Sequence, residues 1–229
     1  MSSSASARKQ LVALAEQGFE GPWRHARGDF SGGARPASVL VLFGVLDALA
    51  ADRGAADLAV PADLDVLLLA RAATLRSHAG QVAFPGGRAD DGEDAVAAAL
   101  REAVEETGLD ASGVEVLGTF DELPMPVSNH VVTPVLGWWA HPTPVGVVDT
   151  AESAHVFRAP VADLLDPANR FTTVLHRDRQ TWRGPGFHVH DGDVTHLVWG
   201  FTAGILDAMF DQLGWTEDWD RTRELAITP

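Results

Sequence analysis

Hydrophobic and polar positions along the chain follow two kinds of pattern, which predict strands and helices in a mixed order. Continuous aliphatic runs at 38–43 and 66–70 predict buried strands. Further strands are predicted at 81–84, 114–120, 130–139, 154–158 and 187–190, and helices at 5–17, 93–107 and 195–213. The chain has no repeat of fixed period and no break in composition. The pattern therefore predicts an α/β fold with one main domain.

The same pattern divides the chain into three parts. Residues 1–35 are predicted to form an N-terminal helix and an irregular connection, because they end in a glycine- and arginine-rich stretch without periodicity. Residues 36–213 are predicted to form the main domain, with an insertion at about 44–63. Residues 214–229 are left as a C-terminal tail.

Composition and charge exclude several classes of protein. The 229 residues include 17 basic and 32 acidic side chains, and a net charge of −15 repels the backbone of an extended nucleic acid. Cysteine is absent, which excludes disulfides, thiolate nucleophiles and cysteine-ligated zinc. The longest apolar stretch, 38–51, is interrupted by Asp47 and is too short to span a membrane. The N-terminus lacks the pattern of a secretory signal, so we expect a cytoplasmic protein.

The predicted helix at 93–107 places three carboxylates together. Glu102, Glu105 and Glu106 have the i, i+3, i+4 spacing of one helical face. A helical wheel puts them opposite the apolar positions, which are Val96, Ala99, Leu100, Ala103 and Val104. A hard divalent cation such as Mg²⁺ or Mn²⁺ would relieve the repulsion between them, and Arg101 can orient Glu105 four residues away. The alternative is a solvated acidic face.

The residues around this helix resemble a known motif. The segment 87–109 reads GRADDGEDAVAAALREAVEETGL. It is similar to the Nudix box at every glycine, arginine and glutamate that the box fixes, with Ala103 where a larger aliphatic residue is usual. The resemblance implies a mixed β-sheet sandwiched between α-helices. It also implies metal-dependent hydrolysis of a nucleoside diphosphate linked to another group.

The resemblance implies roles for individual residues as well. The three glutamates of the acidic face would bind the metal together with the backbone carbonyl of Gly87, and Glu93 would support the loop and helix. In some members of the family a glutamate outside the box acts as general base, and Glu152 is the candidate here. The alternative is that Glu152 is an ordinary surface residue.

The segment immediately before the box points to a subfamily. Residues 67–87 read LLLARAATLRSHAGQVAFPGG, which is similar to the motif of coenzyme A diphosphatases, except that Leu69 replaces the usual threonine or phenylalanine. Arg71, Arg76 and His78 are the candidate substrate contacts. Guanidinium groups bind phosphate oxygens, and coenzyme A carries a 3′-phosphate in addition to its pyrophosphate. The alternative is that the arginines pair with surface acids.

These motifs lead to one leading hypothesis and two alternatives. The leading hypothesis is hydrolysis of the coenzyme A pyrophosphate, with 4′-phosphopantetheine and adenosine 3′,5′-bisphosphate as products. The first alternative is a Nudix enzyme that acts on ADP-ribose, nucleotide sugars or nucleoside triphosphates. The second is a regulatory module that binds such a ligand without turnover. The expected partner is a small nucleotide-type molecule rather than a nucleic acid or membrane, and a homodimer is left open.

Several histidines lie close together in the C-terminal half. His188 and His190 would share one face of a predicted strand, and His176 and His196 are near them in sequence. A zinc site needs a convergent third or fourth ligand, which this spacing does not supply. We therefore expect hydrogen-bonded or solvated histidines here.

Overall fold

A computed structural model describes residues 3–19, 21, 33–45, 60–74, 79–125, 129–177 and 180–227 of the chain. Most of the predicted insertion at 44–63, together with Arg76 and His78, lies outside the described residues. None of the helices in the described ranges has the length and apolar character needed to cross a membrane. The division of the chain at residues 35 and 213 stays a prediction.

The strands form two sheets. The strands of the larger sheet are β1 (Arg35–Val45), β2 (Leu64–Arg71), β3 (Val82–Ala83), β4 (Gly86–Arg88), β5 (Val114–Thr119), β6 (Leu123–Met125), β7 (His130–Trp139) and β8 (Ser153–Pro160). At its centre, β1 runs parallel to β7 and antiparallel to β2 and β4, and β8 pairs with β2. The strands predicted in this part of the chain are confirmed, although the one at 81–84 is reduced to the two residues of β3.

The larger sheet is sandwiched between helices, as the resemblance implied. The helices are α1 (Ser3–Gln17), α2 (Ala95–Thr107), α3 (Val161–Leu165) and α4 (Gly200–Leu213). Successive side chains of a strand point to opposite faces of its sheet. Leu40 and Leu42 of β1 accordingly share an apolar cluster with α2, whereas Val41 and Phe43 share another with α1 and α4. A strand buried on both faces explains the unbroken aliphatic run.

The second sheet corrects one predicted helix. Its strands are β9 (Arg170–Arg177), β10 (Gln180–Asp191), β11 (Val194–Trp199) and β12 (Glu224–Ile227). The helix predicted at 195–213 was wrong over its first five residues, which belong to β11 and pair with β10. Gly200, with a φ of 66°, separates the strand from α4, because this left-handed conformation suits glycine. Of the second sheet, only 187–190 was predicted, and β12 brings the C-terminal tail alongside β9.

A buried ion pair lies in the larger sheet between β2 and β8. The Arg158 Nη2 atom is 2.6 Å from the Asp65 Oδ2 atom, and the Arg158 guanidinium also covers the ring of Trp139 at 4.7 Å. Only 1% of the Asp65 side chain is exposed. Burial raises the pKa of Asp65 to about 6, against the opposing effect of Arg158. The fold therefore depends on Arg158 to keep a charge in its core.

Replacing Arg158 by leucine should lower the free energy of unfolding at pH 7.5 by about 3–5 kcal/mol, because Asp65 would stay buried without its partner. Urea denaturation measures this loss. The control is Arg8→Leu, which removes an equal charge from the half-exposed pair with Glu115 and should cost less than about 1 kcal/mol. Equally small losses in both variants would show that the Asp65 pair does not stabilise the core.

Candidate active site

Helix α2 is fixed at both ends by local signals in the sequence. The Asp94 side chain caps its start by accepting a hydrogen bond of 2.8 Å from the Ala97 backbone N–H. Gly108, with a φ of 70°, ends it. Between these ends, Ala99 and Ala103 are fully buried against the larger sheet. The helix predicted at 93–107 is confirmed from Ala95 to Thr107, and the small alanines let α2 lie close to the strands.

Two carboxylates of α2 lie directly on the backbone of β4. The Gly86 N–H donates a hydrogen bond of 2.9 Å to Glu106 Oε2. The Glu102 carboxyl group lies against Gly87, where an added Cβ atom would be 2.4 Å from the Glu102 Cδ atom. A Cβ atom at Gly86 would lie 2.3 Å from the Ser38 carbonyl oxygen of β1. Both glycines are therefore required for this contact between helix and strand.

The exposure of these residues corrects the helical wheel. Glu106 is only 7% exposed, whereas Val104, which was placed on the apolar side, is 40% exposed. The Glu105 side chain is 57% exposed and that of Glu102 is 19% exposed. The reason is that Gly86 and Gly87 of β4 have no side chains and Gly86 offers its backbone N–H, so the strand accepts a carboxylate where the wheel assumed a hydrophobic neighbour. The three glutamates thus span a range from buried to exposed along one edge of α2.

Burial makes the negative charge of this cluster costly. It raises the pKa of Glu106 to about 7 and also raises the pKa of Glu102, for which Arg101 acts in the opposite direction. The charge of Glu152 adds to both increases, while the charge of Arg71 lowers the pKa of Glu106. The structure therefore brings Glu152 and Arg71, which are distant in sequence from α2, near the same carboxylates.

Arg101 connects the carboxylates of the motif. Its guanidinium donates hydrogen bonds to Glu93 at 2.9 and 3.0 Å and to Glu102 and Glu105 at 3.1 Å each. A further bond of 2.9 Å reaches the Arg88 carbonyl oxygen. The predicted pair with Glu105 is present, and Glu93 holds Arg101 in a two-point contact. This network fixes the Glu102 and Glu105 side chains from the side facing the loop before α2.

Glu152 and Arg71 reach the cluster from the ends of adjacent strands. The Ala72 N–H donates a hydrogen bond of 2.8 Å to the Glu152 carbonyl, and the Arg71 N–H donates one of 3.0 Å to the Gln81 carbonyl. The Glu152 side chain is exposed. The Nε atom of Arg71 is buried and lacks a hydrogen-bond partner. Arg71 therefore offers a free donor close to Glu106.

A pocket of about 280 Å³ opens beside β4 and includes Arg71 in its wall. Its other lining residues include Gln81, Gly87, Arg88, His130 and Phe201. Sequence reasoning missed His130 and Phe201, because β7 and the start of α4 reach the pocket only through the tertiary fold. It also missed Arg88, which lies inside the motif at a position that the box leaves open. The walls are largely apolar with two arginines, which suits an organic group attached to phosphate.

Comparisons with known proteins agree with this arrangement. The profile of the NUDIX domain family matches residues 52–179. The uncharacterized Nudix hydrolase NudL of Cronobacter sakazakii is 40% identical over 151 residues, which cover 65% of this chain and 75% of that protein. NudL of Escherichia coli is 39% identical with the same coverage.

Among solved structures, a MutT/nudix family protein from Enterococcus faecalis aligns with 93% of this chain and 75% of its own, at 15% identity and a TM-score of 0.46. The family profile covers more than half of the 229 residues, and NudL relatives about 40% identical align over three quarters of their own length. The chain therefore belongs to the Nudix hydrolase family.

Proposed function

We propose that this Nudix hydrolase cleaves the pyrophosphate bond of coenzyme A or an acyl derivative, giving 4′-phosphopantetheine, or its acyl form, and adenosine 3′,5′-bisphosphate. The observation that carries the proposal is the pair of carboxylates, Glu102 and Glu106, on the glycine backbone of β4, next to a pocket lined by Arg71. In this arrangement the two carboxylates would bind a cation, and Arg71 in the pocket wall would bind an anionic group of the substrate.

The residues present fit a divalent cation. Every candidate ligand is an oxygen atom, from Glu102, Glu105, Glu106 and the Gly87 carbonyl, which is the donor set that Mg²⁺ and Mn²⁺ prefer. Burial raises the pKa of Glu106, so a positive charge beside it would stabilise its ionised form. When bound, the ion would neutralise phosphate charge and lower the pKa of water.

The other residues of the motif act on the carboxylates. Arg101 is a positioning residue, because its contacts with Glu102 and Glu105 restrict their rotamers. Glu93 in turn positions Arg101. Glu152 is the proposed general base: its exposed carboxylate lies close enough to raise the pKa of Glu102 and Glu106 and can accept a proton from the attacking water.

The choice of coenzyme A rests on the segment before the box. Arg71 belongs to this segment and lines the pocket with an unpartnered Nε atom, which supports a phosphate contact. Arg76 and His78 stay predictions as substrate contacts, because they lie outside the described residues. The cytoplasmic location and the homodimer also stay expectations from sequence alone.

A substrate panel tests the proposal directly. The purified protein is incubated with Mg²⁺ and coenzyme A, dephospho-coenzyme A, ADP-ribose, a nucleotide sugar or a nucleoside triphosphate. The highest kcat/KM on coenzyme A supports the proposal. Faster hydrolysis of ADP-ribose or a nucleotide sugar would move the assignment to another Nudix substrate. Binding of these compounds without turnover would favour a regulatory module.

Exchanging either Glu105 or Glu106 for glutamine should lower kcat by more than about 100-fold, because each change removes a charged ligand while keeping the side-chain shape. Initial rates at saturating Mg²⁺ measure the loss, and EDTA should abolish wild-type turnover. The control is Glu115→Gln, which removes a half-exposed carboxylate paired with Arg8 of α1 and should leave kcat unchanged. Full activity of both ligand variants, or turnover in EDTA, would refute the metal site.

In EDTA, Glu106→Gln should stabilise the protein at pH 8 but not at pH 5. The pKa of Glu106 is raised from its usual 4.5 to about 7 in the folded state. The contribution of Glu106 to the free energy of unfolding is therefore fully present below pH 4.5 and is lost as the pH rises through about 7. The neutral glutamine avoids this loss, which amounts to at most about 3 kcal/mol.

Urea denaturation at the two pH values measures this difference, and Glu105→Gln is the matched control. The Glu105 side chain is 57% exposed, so the exchange there removes no buried charge. An equal increase in the free energy of unfolding of Glu106→Gln at both pH values would contradict the explanation that ionisation of the buried Glu106 is the cause.

Arg71→Ala should reduce kcat/KM for coenzyme A roughly 10- to 100-fold more than for dephospho-coenzyme A, if Arg71 binds the 3′-phosphate. An equal loss on both substrates would place Arg71 at the shared pyrophosphate. Arg183→Ala is the control, since it removes an equal charge from an exposed pair with Glu224 on the second sheet. Arg183→Ala should leave kcat/KM unchanged for both coenzyme A and dephospho-coenzyme A.

A further inference from the structure

A second cluster of ligand-type side chains lies where the two sheets meet. His155 is near the start of β8, and Asp191 and His196 flank the turn between β10 and β11. One ligand atom from each lies within 4.8 Å of the others. Within the described ranges, these three residues form the one group of at least three histidine, aspartate or glutamate side chains that meets this distance. The His155 Nε2 atom is 2.6 Å from Asp191 Oδ2. Three residues from three strands therefore converge on one point.

The His196 ring is held in place but one of its nitrogens is unused. The ring stacks on Phe157 at 4.2 Å between centroids and faces His155 at 5.2 Å. Its Nε2 atom is buried and has no hydrogen-bond partner. A buried polar atom without a partner is costly, and such an atom in a native protein calls for a ligand, an ion or a water molecule.

Other histidines of the second sheet make different contacts. His176 and His190 hydrogen-bond to Thr181 and Thr195 at 3.0 and 2.9 Å. His188 packs on the ring of Phe171. These contacts agree with the expectation from sequence for these residues. His196 differs because its neighbour, His155, comes from the other sheet, 41 positions earlier in the chain.

We propose that His155, Asp191 and His196 bind a zinc ion, at a site separate from the acidic helix. Two imidazoles and one carboxylate are a ligand set that zinc favours over magnesium, and water can complete the tetrahedron. A tetrahedral ion holds its ligand atoms about 3.3 Å apart, given bonds of about 2.0–2.1 Å. The side chains of His155 and Asp191 are 41% and 33% exposed, so a change of rotamer that brings them closer to His196 would not disturb the core, although it would exchange their present contact for the metal bonds.

Electrostatics favour the same site. Burial, and then the neighbouring His155, lower the pKa of His196, which keeps its imidazole in the neutral form that binds metals. Asp191 supplies a negative charge next to both rings, and the whole chain carries a net charge of −15. A cation placed between the three side chains would meet a carboxylate and two imidazoles.

The zinc ion would connect the two sheets at the side of the substrate pocket. His155 pairs with Ala70, the residue before Arg71, and β11 leads directly into Trp199 and Phe201 of the pocket wall. An ion shared between β8 and the β10–β11 hairpin would therefore hold the pocket wall that contains Arg71 in place relative to the wall that contains Trp199 and Phe201. This role is independent of which diphosphate the enzyme cleaves.

Zinc binding to the full chain, measured by isothermal titration calorimetry in excess Mg²⁺, tests the proposal. We expect one zinc ion per chain, and binding at least about 100-fold weaker after His155→Gln or His196→Gln. His190→Gln, on the same hairpin but bonded to Thr195, should bind zinc normally. The double variant Glu105→Gln, Glu106→Gln should also retain zinc, because it alters only the acidic helix.

Cobalt substitution gives a second measurement that needs no variant. Co²⁺ in the wild-type protein should give the visible absorption bands of a four-coordinate site with nitrogen and oxygen ligands, and Zn²⁺ should remove them. Absence of zinc binding to the wild type would overturn the proposal. So would zinc binding that survives in both histidine variants but is lost in the double glutamate variant.

Discussion

The candidate active site depends on a contact between carboxylates and the backbone of two adjacent glycines in a strand. Glu102 and Glu106 lie on Gly86 and Gly87, and a single Cβ atom at either glycine would collide with the helix or with β1. Because β4 pairs with β1 in the middle of the larger sheet, neither the strand nor the helix can move away without disturbing the core. The two glycines therefore determine the position of the Glu102 and Glu106 carboxylates, and the carboxylates determine which ligands the site can bind.

Burial of the carboxylates on α2 is energetically unfavourable for their charged form, and neighbouring arginines offset part of this unfavourable energy. Burial raises the pKa of Glu106 and Glu102, so the metal-free cluster resists full ionisation. Arg101 stabilises the outer carboxylates and Arg71 acts on the inner one. These two arginines supply less positive charge than the cluster and Glu152 supply negative charge. The remaining negative charge is the physical reason why we propose a cation here, with Arg71 beside it as a phosphate contact.

The sequence predicted the parts of the site that are encoded locally. The predicted helix at 93–107 and the spacing of its glutamates lie within one short segment, and the observed helix, Ala95–Thr107, follows the prediction closely. The wheel failed at Glu106 and Val104 because it assumes that the inner side of a helix meets apolar groups, whereas α2 meets a glycine backbone. Such an exception depends on the neighbouring strand and is invisible from the helix alone.

The second sheet escaped prediction for a related reason. The strand at 194–199 is continuous in sequence with α4, and its apolar residues fit a helical pattern; only its pairing with β10 and the turn at Gly200 separate the two. The same pairing carries His196 to His155 and places Phe201 in the pocket wall. The chemistry that the motif encodes is therefore local, whereas the surface that meets the rest of the substrate is assembled from both sheets. Under the proposed function, Arg71 from the segment before the box and Phe201 from the distant helix both line that pocket, so substrate choice would depend on local and long-range contacts together.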